Sequence, residues 1–445
     1  MASTSLKRDL RLVFKEMSLF DKLLPLLIIL SVVVGVIISV YAPQAQSIFN
    51  NTNNNKLTSV SIQLTIGLII MMIPPLCKIE YEQLITTTKS NNKRGLYLFA
   101  QHWREIAVSL ALNWIVGPFL MFGLAWATLF NEKEYRTGII MIGMARCIAM
   151  VLIWNQLALG SNDLCAILVI INSVLQIVLY APYQVLFCYI ITDESIDFAN
   201  NLNMSDLFVL VLKNIGVFLG IPLASGISIR TIALLTIGEG KFNTKVLPWI
   251  NPWALIGLLY TIIIIFISKG DSFLHEIGES LKCLIPLCFY FLVMWLGTFF
   301  GFRYYSNYIN YNRLVKEHEK SAIEMMTPNT RAVVMTEEEE EGDSSESTKL
   351  LIKCGCEEKL SCHQLEQHHQ GKLQCNANYS STVTQAFTSS SNNFELSLAI
   401  AIALYGEGSK QVIAAVYGPL LEVPILLLLT VVARYFRVKL VWGDA

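Results

Sequence analysis

Charged side chains are scarce in this sequence, and their scarcity excludes an ordinary soluble domain. Only 15% of the 445 residues are Asp, Glu, Lys or Arg, whereas soluble domains carry about 25%. Hydrophobic residues make up 54% of the chain. The formal net charge is −1, so no basic excess indicates a nucleic-acid partner. This composition predicts an all-α polytopic membrane protein, since helices satisfy their own backbone groups in lipid.

Two sequence signals that would change this interpretation are missing. There is no G-x-x-x-x-G-K-[ST] motif, so we expect no direct use of ATP, and we expect no cofactor. The first apolar stretch lacks a small-residue cleavage site, so we expect no removable signal peptide. The basic residues of segment 1–22 predict a cytosolic N-terminus, because Lys and Arg favour the inner side of a membrane.

Apolar stretches near the length of about 20 residues that spans a bilayer recur along the chain. Lys and Arg are concentrated in alternate connections, and this alternation places both termini in the cytosol. The ten predicted spans are 23–41, 59–77, 106–130, 137–156, 164–191, 207–229, 252–268, 283–302, 382–405 and 413–433.

Ten spans divide into two sets of five, and an odd number per set gives the sets opposite orientations, as in inverted-repeat transporters. The connection 303–378 is acidic and rich in Ser and Thr, so we expect it to be disordered. The predicted organisation is a cytosolic segment 1–22, a first five-helix repeat 23–191, an external loop 192–206, three helices of a second repeat 207–302, a cytosolic loop 303–378, two last helices 379–433 and a cytosolic tail 434–445.

The fourth predicted span carries an arginine and a cysteine at its centre, Arg146 and Cys147 in MARCIAM. A charge at the middle of a membrane usually faces the bundle interior and marks a pathway. A thiol beside a positive charge is shifted toward thiolate, the form that binds soft metals and metalloids. The alternative is that Cys147 is only a small packing residue. Trp154 follows seven residues later, and residues seven apart share a helix face, so we expect Trp154 to lie over the same cavity wall as Cys147.

The ninth predicted span contains six consecutive polar residues, 388–393, followed by Glu395. Such a run predicts a broken helix that is buried in protein or lines a cavity. An intramembrane carboxyl group such as Glu395 can hold a proton near neutral pH and release it when its surroundings change. The alternative is a static ion pair with Arg146. Glu422, between Pro419 and Pro424, is either a second proton-coupling group or a structural partner of backbone freed by the prolines.

Several thiols lie in the predicted cytosolic loop, but their spacing matches no zinc module. Cys354, Cys356 and Cys362 are either incidental cysteines or a trap that captures a thiophilic ion before the pore.

Three segments, MIGMARCIAMVLIWNQLALGSNDLC, SNNFELSLAIAIALYG and YGPLLEVPILL, resemble arsenical-resistance arsenite efflux permeases of the bile acid/arsenite/riboflavin transporter superfamily, most closely the fungal-type branch. The resemblance implies two inverted five-helix repeats whose helices 4 and 9 are interrupted and cross. It also implies export of arsenite, and of antimonite in some members, in exchange for protons. The plasma membrane is the implied location, with a vacuolar membrane left open.

The same resemblance assigns roles to individual residues. Cys147 matches the family's essential cysteine and Glu395 its essential glutamate. Arg146, Asn392, Asn393 and Glu422 match the surrounding motif positions. We therefore expect Cys147, Arg146, Trp154, Asn392 and Asn393 to bind substrate, and Glu395 and Glu422 to couple protons.

Two other functions remain open at this stage. A sodium-coupled symporter of an organic anion would share the architecture but would give Cys147 no task. A membrane thiol oxidoreductase would need a second, resolving cysteine close to Cys147.

Overall fold

The computed structural model describes residues 19–42, 44, 61–79, 102–148, 150–192, 204–325, 377–406 and 408–443. Over these residues the chain is helical, with no strand, so the all-α prediction is confirmed. The principal helices are α1 (Leu19–Tyr41), α2 (Ile62–Lys78), α3 (Trp103–Thr128), α4a (Lys133–Met144), α4b (Met150–Leu157), α5 (Asn162–Ile190), α6 (Met204–Ile215, continuing through Gly216–Gly220 and Ile221–Thr236), α7 (Pro252–His275), α8 (Leu284–Met325), α9a (Tyr379–Ser390), α9b (Phe394–Tyr405) and α10 (Lys410–Lys439).

Six helical segments of the described part are long and apolar enough to cross a membrane by themselves, and shorter apolar helices accompany them. These segments agree with the integral membrane protein predicted from the sequence. The six are Trp103–Thr128, Asn162–Ile190, Phe208–Thr236, Glu239–Ser268, Ile277–Asn310 and Lys410–Lys439.

Serine and asparagine residues set where several helices begin. The Ser161 hydroxyl accepts a hydrogen bond from the Leu164 N–H at 3.3 Å and starts α5. Ser409 does the same for α10, with the Val412 N–H at 3.4 Å. Such caps satisfy a backbone N–H group that has no partner inside the helix. These two capped helices, α5 and α10, each follow the second half of an interrupted helix, α4b and α9b.

One group of helices is built on α2 and α7. Helix α7 packs along both α1 and α2, and α6 packs on α2. Gly257 allows the close approach of α7 to α2, because a Cβ atom there would lie 2.7 Å from the backbone nitrogen of Met71. We call α1, α2, α6 and α7 the first bundle.

The remaining helices form a second bundle, in which α8 packs on α9a, α4a packs on α10 and α3 packs on both α4a and α8. Helix α5 joins this bundle through α4b and α9a. The two bundles meet mainly where α6 contacts α5 and α9b, and where α1 contacts α10. The interrupted helices α4 and α9 thus lie within the second bundle, and their interruptions form its polar centre.

Candidate functional site

The two interrupted helices meet at their interruptions. Helix α4a ends at Met144 and α9a ends at Ser390, and the chain between each half-helix pair runs extended. Arg146 and Asn392 form an isolated antiparallel bridge. The Cys147 N–H donates to the Ser391 carbonyl at 3.4 Å, and the Asn393 N–H donates to the Ala145 carbonyl at 3.1 Å. We call residues 145–148 and 391–393 the crossing. The predicted helix breaks are present, and each supplies hydrogen-bond partners to the other.

Arg146 is fully buried and joins two helix ends. Its guanidinium donates to the Gly143 carbonyl at the end of α4a and, at 3.5 Å, to the Ser389 carbonyl at the end of α9a. The last carbonyls of a helix carry a partial negative charge. Arg146 therefore compensates two helix C-termini that converge at the crossing, and its backbone N–H donates to the Gln176 side-chain oxygen.

Tyr290 of α8 connects the two extended segments. Its hydroxyl accepts from Arg146 Nη1 at 3.0 Å and donates to Asn392 Oδ1 at 3.3 Å. Gly117 of α3 leaves room for this arrangement, because a Cβ atom there would lie 2.8 Å from Arg146 Nη1 and 3.1 Å from the Tyr290 hydroxyl. Sequence reasoning missed Tyr290 and Gln176. A tyrosine in an apolar span gives no signal, whereas a glutamine in the middle of span five could have been noticed.

Arg146 makes no ion pair with a described carboxylate. Its guanidinium partners in the described part of the chain are Tyr290 and the two backbone carbonyls. The static Arg146–Glu395 pair considered from the sequence is therefore absent from this conformation, because the guanidinium turns toward the ends of α4a and α9a.

Cys147 lies in the extended segment just before α4b. Its thiol is free and 5% exposed, and the backbone N–H groups of Met150 and Val151, at the start of α4b, face it. The sequence argument expected the Arg146 charge to shift this thiol toward thiolate. The structure corrects that expectation, because the guanidinium points to the carbonyl ends of α4a and α9a instead.

Trp154 is buried in α4b. The prediction that it shares a helix face with Cys147 assumed one continuous helix, and this assumption is wrong. Cys147 precedes α4b, so the seven-residue spacing does not relate the two side chains. Trp154 contributes to the packing of α4b, and no hydrogen bond to its indole N–H is found among the described residues.

Glu395 occupies the first turn of α9b, and Asn393 caps that helix by accepting from the Leu396 N–H at 3.0 Å. Cys147 and Glu395 thus stand at the N-terminal ends of the two second half-helices. The carboxyl groups of Glu395 and Glu422 are both electrostatic neighbours of the Cys147 thiol. The crossing therefore assembles the thiol and both intramembrane carboxyl groups, which lie far apart in sequence.

Glu422 of α10 is fully buried, and the Ser391 side chain of the crossing lies beside its carboxyl group. No backbone group of the described residues hydrogen-bonds to this carboxyl group. The hydrogen bond to proline-freed backbone that the sequence left open is therefore not formed here. Three side-chain amide nitrogens at or beside the crossing have no hydrogen-bond partner within the described part of the chain: Gln176 Nε2, Asn392 Nδ2 and Asn393 Nδ2. Buried polar atoms normally have a partner, so this concentration makes the crossing the candidate site.

A small cavity of about 10 Å³ borders the crossing. It lies between Ile148, Asn393 and Glu395 of the second bundle and the face of α2 in the first bundle. The predicted thiol trap at Cys354, Cys356 and Cys362 lies outside the described residues. Within the described ranges, no three His, Cys, Asp or Glu residues are grouped to hold a metal ion.

Broken helices that cross inside a helical bundle, with buried polar groups at the break, are typical of membrane transporters. The comparisons agree with this class. Residues 65–276 match the model of the Sodium Bile acid symporter family. The Arsenical-resistance protein Acr3 of Corynebacterium glutamicum is 30% identical over 96% of this chain and 92% of its own length. Acr3 of Alkaliphilus metalliredigens is 23% identical over 95% and 94%, and an uncharacterized transporter of Synechocystis is 24% identical over 94% and 89%.

The chain belongs to the family of these arsenical-resistance proteins, so the resemblance predicted from its sequence is confirmed.

Proposed function

We propose that this protein is a secondary active transporter that exports arsenite from the cytosol in exchange for protons. The observation that carries the proposal is the juxtaposition of Cys147 and Glu395, each at the start of a second half-helix, where α4 and α9 cross. The names of two relatives, arsenical-resistance proteins, indicate the class of substrate.

The chemistry of As(III) fits one buried thiol. Arsenite at neutral pH is mostly the uncharged trihydroxide, so it enters without a counter-charge. Cys147 exchanges for one hydroxyl: the S–H and As–OH bonds break, an S–As bond forms and water leaves. A single thiol binds weakly enough to release the substrate, as transport requires, and the reverse exchange with water restores both groups. The Nδ2 nitrogens of Asn392 and Asn393, which have no hydrogen-bond partner among the described residues, are available to bind the remaining hydroxyls.

Glu395 and Glu422 provide the proton-coupling groups of the proposal. Glu395 is deprotonated when the substrate binds from the cytosol and takes up a proton from outside as the substrate leaves. Because Glu422 is fully buried and is an electrostatic neighbour of Glu395, the protonation of one carboxyl group depends on the charge of the other. Substrate binding and proton binding then shift the equilibrium between the two conformations of alternating access in opposite directions.

Movement of one bundle against the other would give alternating access. The cavity at the crossing has room for about one water molecule, which is less than arsenite needs, so its walls must separate for binding. We propose ten spans in two inverted repeats of five. The antiparallel Arg146–Asn392 bridge supports this arrangement, as do the matching serine caps of α5 and α10, each following an interrupted helix. The termini lie in the cytosol, and the plasma membrane is the proposed location.

The decisive experiment is arsenite flux in proteoliposomes under imposed pH and sodium gradients. We expect flux that follows the pH gradient, ignores sodium and collapses when a protonophore is added. Antimonite is the second substrate to test. Flux that is independent of the pH gradient would contradict proton exchange.

A second function has one observation in its favour, the match to the Sodium Bile acid symporter family. In that case the protein would be a symporter in which sodium drives the uptake of an organic anion. A sodium-driven uptake of bile acid, with no arsenite flux, would establish this function and reject the first.

A further inference from the structure

The cavity at the crossing has a wall that belongs to the other bundle. Met72, Pro75 and Leu76 of α2 face Asn393 and Glu395 across it. These three α2 residues are spaced i, i+3, i+4 and therefore lie on one helix face. Met72 is 5% exposed and Leu76 is fully buried. The first bundle thus presents a defined face to the crossing.

Met72 is chemically distinct on this wall. Pro75 and Leu76 present only hydrocarbon, whereas methionine carries a polarisable thioether. Thioether and thiolate sulfur are the protein ligands that soft, thiophilic centres prefer. Ile148, the residue after Cys147 in the crossing, lines the same cavity as Met72. A substrate held by Cys147 would therefore lie close to a second soft donor when the two bundles close on it.

We propose that Met72 contacts the substrate and determines its specificity, with the thioether sulfur donating a lone pair to trivalent arsenic or antimony. This inference rests on the proposed function. The contact breaks no covalent bond, releases no proton and leaves the thioether unchanged. Because Met72 and Cys147 belong to different bundles, both sulfur atoms reach the substrate only while the bundles are together. The contact thus stabilises the closed, substrate-loaded state.

The test compares Met72→Leu with Met71→Leu in proteoliposomes. Leucine conserves the volume of methionine and its helix propensity but removes the sulfur. Met71 is equally buried and adjacent, yet it packs beside Gly257 and does not line the cavity. We expect Met72→Leu to raise the arsenite concentration for half-maximal flux several-fold, and the antimonite value more. Met71→Leu should behave as the unchanged protein.

A second pair of variants separates sulfur chemistry from packing. Met72→Cys and Met72→Ala both shorten the side chain, but only the first keeps a sulfur donor. Met72→Cys should retain a lower half-saturation concentration than Met72→Ala.

Equal half-saturation concentrations within both pairs would overturn the role of Met72 while leaving arsenite transport in place. Absence of arsenite flux in the unchanged protein would reject the proposed function, and this inference with it.

Discussion

The backbones of Arg146 and Asn392 pair in an antiparallel bridge, although 246 positions separate them in the chain. Tyr290 reinforces this pairing by bonding to both side chains. The pairing brings the end of α4a next to the end of α9a, and it places Cys147 and Glu395 at the starts of α4b and α9b. Four predictions concern this site, and a fifth concerns a contact near the helix ends.

Replacing Cys147 by serine should reduce arsenite flux to background, because a hydroxyl group is a poor ligand for a soft metalloid. The amount of protein in the membrane should be unchanged, since Ser is close in volume to Cys. Cys165→Ser is the matched control, because Cys165 is also fully buried but lies in α5, away from the crossing. Normal export by the Cys147 variant would reject the thiol mechanism.

Glu395→Gln should block arsenite–proton exchange and flatten its dependence on pH, because the amide keeps the shape of the carboxyl group but binds no proton. Flux measured across a series of imposed pH gradients gives the readout. Glu279→Gln, in the connection before α8, is a control that should retain the normal profile. An unaltered pH profile in Glu395→Gln would remove this residue from proton coupling.

Tyr290→Phe should lower both stability and maximal flux, because it deletes the hydroxyl that bonds to Arg146 and Asn392. Leaving buried polar atoms with fewer partners costs about 1–3 kcal/mol. Thermal unfolding in detergent and flux per folded protein are measured together. Tyr417→Phe removes a comparable buried bond, to Ser280 at 2.9 Å, and should lower stability with little change in flux per folded protein. Equal flux in both variants would make Tyr290 a purely structural residue.

Gly117→Ala should displace the Arg146 guanidinium, since the added Cβ would lie 2.8 Å from Nη1. Overpacking of this kind costs about 1–3 kcal/mol. Gly123 lies on the same helix, and a Cβ there meets nothing within 4 Å. Gly123→Ala should therefore be neutral or stabilising by about 0.5–1 kcal/mol. Unfolding temperatures that do not distinguish the two variants would contradict the packing described for Arg146.

Glu276→Gln should weaken an ionic contact between helix ends. Glu276 Oε2 lies 2.8 Å from Lys410 Nζ, and the Tyr135 hydroxyl donates to the same oxygen at 3.2 Å. The hydrogen bond from Lys410 lowers the pKa of Glu276 below its usual value near 4.5.

The contact between Glu276 and Lys410 therefore stabilises the fold fully at pH values above the usual pKa of 4.5. This stabilisation is lost as the pH falls through the lowered pKa of Glu276. Both side chains are about one-third exposed, so the effect should not exceed about 1 kcal/mol. The variant should unfold at a lower temperature at neutral pH and match the unchanged protein in strong acid. A difference that persists at low pH would contradict the ionic origin.

Much of the fold was predictable because helices in a membrane protein are local features. Long apolar stretches predict helices wherever they occur, and each predicted stretch contains helix in the structure. The interruption of α9 was also predictable, since the polar run 388–393 does not suit a lipid-facing helix. The interruption of α4 followed only from the family resemblance. The family followed from three short segments whose residues and order are specific to it.

The partners of Arg146 were not predictable, because they depend on which distant chain ends pack against it. An arginine and a glutamate in two spans suggested an ion pair, yet two helix C-termini and Tyr290 satisfy the guanidinium instead. The link between Cys147 and Trp154 failed for a local reason, because the helix stops between them.

The sequence by itself determined that this chain is helical, lies in a membrane, has a broken ninth span and belongs to the arsenical-resistance family. These properties depend on composition, hydropathy and the order of residues along single segments. Only the tertiary structure decided that a helix N-terminus faces Cys147, that Tyr290 joins the two breaks and that Met72 lines the opposite wall. Those relationships depend on how separate helices pack, and packing is set by the shapes of many side chains at once.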